Sequence, residues 1–182
     1  MNELKSKALY LCGFMGCGKS TIGKITARRL GKRFIDLDFY IEQNENMKIP
    51  DIFEKYGEDY FRQKETEALE QLSSVNAVVA TGGGALLSDK NGEIVKKAGI
   101  AVYIDTPFEI CYSRIKGDKN RPIAYSSTKE QLEQRYNTRK PLYMRNSSYK
   151  VSGVGSPIAV AQKIIDVYYR ACRKTRRKHK KV

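Results

Sequence analysis

One stretch constrains the fold of this chain more than any other. Ala8-Leu9-Tyr10-Leu11-Cys12 is a continuous apolar run that breaks into Gly13-Phe14-Met15-Gly16-Cys17-Gly18 and closes on Lys19-Ser20-Thr21. It satisfies the G-x-x-x-x-G-K-[ST] pattern, with a strand-like segment before it and a helix-like one after it. Glycines suit such a loop because successive backbone N–H groups must turn inward on a polyphosphate, where a Cβ would obstruct the approach. Lys19 is then placed to meet the β- and γ-phosphates, and the Ser20 hydroxyl to ligate an accompanying Mg²⁺. The helix opening near Lys19 adds the positive end of its dipole to the same anion.

A single histidine, His179, removes whole classes of chemistry: a Ser-His-Asp hydrolase, a Cys-His enzyme and a histidine-ligated metal centre. Carboxylates, arginines, lysines and a hard metal ion are left to do the work. Cys12, Cys17, Cys111 and Cys172 form no C-x-x-C pair. They read as reduced thiols of a reducing compartment, Cys17 filling a small space in the loop. No apolar run approaches the roughly 20 residues that span a bilayer. Met1–Lys7 is polar where a secretory signal would carry an apolar core, so the expectation is a cytoplasmic protein with no membrane partner. The length of 182 residues suits one buried domain.

The net charge of +14 is unevenly placed: eight of the positive groups lie in residues 170–182, which hold no acid, leaving +6 for the rest. The residual charge suits a protein that handles anionic ligands. The tail reads first as a solvated, frayed end, and it leaves a nucleic-acid partner open.

Strands are expected at Lys7–Cys12, Arg33–Asp36, Ala77–Ala80, Ile100–Ile104 and, as an edge, Tyr149–Ser152. Helices are expected at Lys19–Leu30, Phe39–Asn44, Ile52–Tyr56, Glu58–Ser73, Asp89–Ala98, from Pro107 through Ile110, Arg114 and Ile115, at Lys129–Arg139 and at Ile158–Arg170. A turn is expected at Ile49-Pro50-Asp51, and polar Lys116–Ser127 reads as a mobile loop. This alternation predicts an α/β fold, a parallel sheet with helices on both faces, in which ligands sit at the carboxyl ends of the strands. The phosphate loop, Asp36/Asp38 and Gly82–Gly84 each follow a strand and should share one cleft.

Asp36-Leu37-Asp38 offers one carboxylate to a metal and one to an acceptor hydroxyl, although Asp38 also reads as a helix cap. In Phe61-Arg62-Gln63-Lys64-Glu65, Arg62 and Glu65 stand three apart on a helix, where the carboxylate can brace the guanidinium for an anionic substrate, although from these residues alone a surface ion pair is the plainer reading. Thr81-Gly82-Gly83-Gly84 suggests close approach of a ligand to backbone. Arg121, in Asn120-Arg121-Pro122, can swing over phosphates, and Arg139, in Arg139-Lys140-Pro141-Leu142-Tyr143, can add a second cation; either also reads as solvated surface.

Taken in order, these six motifs resemble the shikimate kinases, and the similarity runs from about residue 7 to 170. The resemblance implies a P-loop NTPase fold of nucleoside-monophosphate-kinase type: a five-stranded parallel sheet flanked by helices, a substrate-binding insert at about 38–66 and a lid at about 116–127. Residues 1–170 would form a single kinase domain, followed by the basic tail at 171–182. It implies transfer of the ATP γ-phosphoryl group to the 3-hydroxyl of shikimate, by a monomer. Residue by residue, it assigns ATP to Gly16, Cys17, Gly18, Lys19, Ser20, Thr21 and Arg121, and Mg²⁺ to Ser20 and, through water, Asp36. Shikimate falls to Asp38, Arg62, Gly83 and Arg139, with Asp38 the base and Asp38, Lys19 and Arg121 the catalytic set. Two departures stand out: Ile123-Ala124-Tyr125 after the Arg-Pro pair, less aliphatic than the family's lid, and the lysine-rich tail.

Overall fold

The computed structural model describes residues 7–117 and 122–179. Five strands, β1 (Ala8–Cys12), β2 (Arg33–Asp36), β3 (Ala77–Ala80), β4 (Gly99–Asp105) and β5 (Tyr149–Ser152), form one sheet in the order β2-β3-β1-β4-β5. Every neighbouring pair is parallel, with Leu9 opposite Val78 on one side and Ile100 on the other. A parallel sheet needs a crossover between successive strands, and its central strands are covered on both faces. β1 and β3 meet that condition with uninterrupted apolar, fully buried sequences.

The pleat sends alternate side chains of β1 to opposite layers. Leu11 faces α1 (Lys19–Leu30), where Gly23 lets the helix approach the sheet. Tyr10 points the other way and donates its hydroxyl to the Leu72 carbonyl at 3.3 Å. The remaining helices are α2 (Leu37–Glu45), α3 (Ile49–Gln71), α4 (Asp89–Ala98), α5 (Phe108–Ile115), α6 (Pro122–Ser126), α7 (Lys129–Asn146) and α8 (Pro157–His179). α8 packs beside α1. All four cysteines are buried free thiols. Among the described residues no helix is long and apolar enough to cross a membrane.

The expected turn at Ile49–Asp51 is the first turn of α3 instead. Pro50 fits there because its missing N–H lies among those a helix start leaves unpaired. The Glu42 carboxylate accepts the Ile49 N–H at 3.1 Å, taking up another of them. Gly57, at φ +83°, splits α3 into two segments, the division expected between Tyr56 and Glu58. α7 does not stop at Arg139 but runs through Pro141 to Asn146. Its last turns are pinned to neighbouring backbone by Tyr143 Oη on the Gly83 carbonyl and Asn146 Nδ2 on the Leu86 carbonyl, contacts that outweigh one lost helical bond. Within the expected loop, Pro122–Ser126 form α6, with Ala124 buried. α8 runs nine residues beyond its expected end.

Candidate active site

The glycine-rich loop leaves β1 and enters α1 with Gly18 as its N-cap. Gly16 has φ +80°, and a Cβ there would lie 2.5 Å from the Cys111 carbonyl oxygen, so no other residue fits. Lys19 folds back over the loop, its ammonium donating to the carbonyls of Gly13 at 2.8 Å and Phe14 at 3.2 Å. Cys17 is fully buried, with its Sγ 3.8 Å from the same ammonium. The Ser20 hydroxyl donates to Asp36 Oδ2 at 2.7 Å, joining two hard oxygen ligands from separate elements. Among the described residues no cluster of three or more His, Cys, Asp or Glu side chains forms a closed metal cage. A hydroxyl and a carboxylate beside a phosphate loop suit a divalent ion that keeps waters and phosphate oxygens as its other ligands.

Asp36 and Asp38 are separated by a change of backbone. Asp36 ends β2 and is the N-cap of α2, whereas Asp38 lies in the first turn of that helix, so neither side chain caps it. Both line a cavity of about 380 Å³ shared with Lys19, Ser20, Thr21 and Gly83. Burial, and then the neighbouring Asp36 charge, push the Asp38 carboxyl above its ordinary range, against the pull of Lys19 and Arg62.

Two of the three glycines in the triplet have a physical reason that the sequence did not suggest. A Cβ on Gly82 would sit 2.8 Å from Glu65 Oε1 and against Asp38 Oδ1, and one on Gly84 would fall on the Arg62 guanidinium. The two outer glycines make room for the protein's own side chains. Only Gly83 is open, the nearest atom to a Cβ there being Met15 N at 3.9 Å.

Arg62 is held on both sides, by Glu58 at 2.7 Å and by Glu65 at 2.6 Å. Glu65 is not a surface brace: it is 1% exposed, and burial raises its carboxyl to about 7. Arg139 donates to the Gly83 carbonyl at 3.3 Å, beside the Tyr143 hydroxyl at 2.5 Å. The Gly82–Gly84 turn is therefore where Asp38, Arg62 and Arg139 meet, at the rim of the cavity that Lys19 lines.

Arg121 lies outside the described residues. Sequence reasoning missed Arg114, which it counted with the apolar face of α5; its guanidinium donates to the Gly16 carbonyl at 3.0 Å and lines the cavity. An arginine in the last turn of a helix that follows a strand of the same sheet was the available signal. Tyr143 was quoted within a motif but given no task.

The shikimate kinase family model matches residues 15–169. The chain is 42% identical to the shikimate kinase of Persephonella marina over 86% of its own length and 96% of that relative's. Among solved structures it is similar to the shikimate kinase of Acinetobacter baumannii in complex with shikimate, with TM-score 0.82 and 41% identity over 88% of this chain and 92% of that one. The shikimate kinase of Aquifex aeolicus matches at TM-score 0.77 and 37% identity, over 87% and 94%. A gluconokinase from Sinorhizobium meliloti shares the fold at 13% identity and TM-score 0.62. The expected resemblance and the P-loop kinase fold with its five-stranded parallel sheet are both borne out, and the chain belongs to the shikimate kinase family of ATP-dependent kinases.

Proposed function

We propose that this chain transfers the γ-phosphoryl group of ATP to the 3-hydroxyl of shikimate, giving shikimate 3-phosphate and ADP. The observation that carries the reading is the single cavity in which Lys19 and the phosphate loop face Asp38 and Gly83. Phosphoryl transfer asks little of the protein beyond position and charge, so two anionic substrates must be held in line and dry.

The loop's backbone N–H groups and the Lys19 ammonium take the phosphates, Lys19 exchanging its carbonyl partners for phosphate oxygens. Mg²⁺, when bound, would be held by Ser20 and through water by Asp36, and supplies neutralisation of phosphate charge. Arg62 and Arg139 grip the acceptor's carboxylate, and Asp38 receives the proton of the hydroxyl as its oxygen bonds to the γ-phosphorus and the bond to the β-phosphate oxygen breaks. The raised Asp38 carboxyl is closer in basicity to that task than an exposed aspartate. Arg114 steadies the loop through Gly16, and Arg121, as the family resemblance implies, closes over the phosphates. The four free thiols support a cytoplasmic setting, and a site built from one chain supports a monomer.

The test is ADP release in a coupled assay with Mg²⁺ and ATP. Release that needs shikimate, and that gluconate or nucleoside monophosphates do not elicit, is expected. Equal turnover with gluconate would overturn the assignment of the acceptor.

A further inference from the structure

Tyr143 has no task in the chemistry above, yet its surroundings give it one. It follows Arg139 by four residues on α7, one turn along the same face of the helix. That spacing is kept only because α7 runs on past Pro141, where a helix ordinarily ends. The Tyr143 ring is buried and stacks on the buried Tyr103 ring, with centroids 5.5 Å apart and planes at 26°, so its hydroxyl sits on a rigid stem. Burial lifts the phenol well above its ordinary range, and the hydroxyl keeps its proton. That proton is donated to the Gly83 carbonyl at 2.5 Å, and the same carbonyl accepts from Arg139 Nη1 at 3.3 Å. Burial disfavours the Arg139 cation, Tyr143 favours it, and the like charges of Arg135 and Arg62 oppose it. With its proton committed to Gly83, the Tyr143 oxygen offers that cation only lone pairs.

We propose that Tyr143 is a positioning residue for the acceptor, its one hydroxyl setting the Gly83 peptide and the Arg139 guanidinium in a single alignment. The inference rests on the reading that Gly83 and Arg139 bind shikimate. Three glycines in a row lack the side-chain bulk that would restrict their own dihedrals, so the course of residues 81–87 depends on what anchors them. Both ends are tied down. Thr81 donates twice to the Leu11 carbonyl, from N at 3.0 Å and Oγ1 at 3.1 Å, while Asn91 Nδ2 donates to the Ala85 carbonyl at 2.8 Å and Asn146 Nδ2 to the Leu86 carbonyl at 3.1 Å. At the middle of the turn Tyr143 and Arg139 hold the Gly83 carbonyl. Because the peptide unit is planar, fixing that carbonyl also fixes the direction of the Gly84 N–H. Likewise an arginine with Nη1 already placed keeps the rest of its planar fork in one orientation, ready for a carboxylate. The acceptor end is thus ordered before the acceptor arrives, which spares binding the cost of ordering it.

Tyr143→Phe keeps the ring and its stack and removes the hydroxyl alone. KM for shikimate should rise about 10-fold, the scale of one buried hydrogen bond, with KM for ATP and kcat changed by less than about 2-fold. In an Arg139→Gln background the same substitution should raise KM for shikimate by less than about 3-fold, because part of its effect passes through that arginine. Amide hydrogen exchange reads the anchoring without any acceptor: the Leu87 N–H, which donates to the Gly84 carbonyl at 3.0 Å, should exchange at least about 10-fold faster in Tyr143→Phe than in wild type. Equal exchange in the two proteins would overturn the proposal. So would a full 10-fold effect in the Arg139→Gln background, or a loss shared equally by both KM values and kcat, which marks a purely structural residue. Wild type that releases ADP without needing shikimate would overturn the reading of the acceptor instead, and faster exchange in the variant would still support the anchoring.

Discussion

Arg62 donates to Glu65 Oε2 at 2.6 Å, while Glu65 Oε1 has no hydrogen-bond partner among the described residues. A carboxylate buried with half its lone pairs unmet is poorly solvated, which explains why its carboxyl rises from an ordinary 4.5 to about 7 despite the guanidinium beside it. Because the folded state holds that proton more tightly than the unfolded one, its contribution to stability is complete below about pH 4.5 and is lost as pH rises to about 7. Glu65→Gln removes the titration. Urea midpoints from pH 4 to 8 should show wild type losing stability relative to the variant across that window, and parallel curves would refute the buried titration.

The same titration bears on substrate affinity. If Arg62 grips the substrate carboxylate as proposed, Glu65 loses its charge as pH falls through about 7 and leaves the Arg62 charge to the substrate, whereas above that pH the two carboxylates compete for it. KM for shikimate should rise with pH through neutrality in wild type and flatten in Glu65→Gln, with kcat much less affected. A pH-independent KM in wild type would count against this competition.

Asp38→Asn keeps the shape of the side chain and removes its basicity. If Asp38 accepts the proton of the hydroxyl, kcat should fall on the order of 10²–10⁴-fold with a smaller change in KM. Near-normal turnover in a correctly folded variant would reduce Asp38 to an orienting group.

Lys19→Ala should lower kcat/KM for ATP on the order of 10²–10³-fold, the scale of losing one preorganised charge at a reacting phosphate. It also removes the two bonds to the Gly13 and Phe14 carbonyls. A loss of about 1 kcal/mol in unfolding free energy is expected alongside, measurable by denaturant titration.

Two neighbouring glycines should respond differently to the same methyl group. Gly82→Ala drives a Cβ onto Asp38 and Glu65 and should cost about 1–3 kcal/mol of stability. Gly83→Ala has space for the methyl, so it should fold normally and act on KM for shikimate instead. Comparing thermal midpoints with initial rates separates the two. Equal destabilisation would contradict the geometry at this turn.

Where the chain carried a strong local signal, its structure was readable in advance. The apolar runs of β1 and β3 admit little but buried parallel strands, and the phosphate loop fixes what precedes and follows it. The split at Gly57 was visible because a glycine interrupts a helical pattern. Tertiary contacts decided the rest. Pro141 looks like a helix end until Tyr143 and Asn146 find carbonyls beyond it, and Pro50 looks like a turn until Glu42 supplies a capping carboxylate. Arg114 was hidden for a similar reason: its partner, the Gly16 carbonyl, is 98 residues away in the chain. The glycine triplet showed in sequence that something must come close, but not that Asp38, Glu65 and Arg62 are what arrives at two of its three positions.

The seat that Lys19 takes on two carbonyls of its own loop has a bearing on how quickly the enzyme can work. A loop braced in this way does not have to fold around each incoming nucleotide. Capture of a fresh triphosphate then reduces to diffusion and an exchange of hydrogen-bond acceptors, and the socket is restored as soon as the spent diphosphate departs.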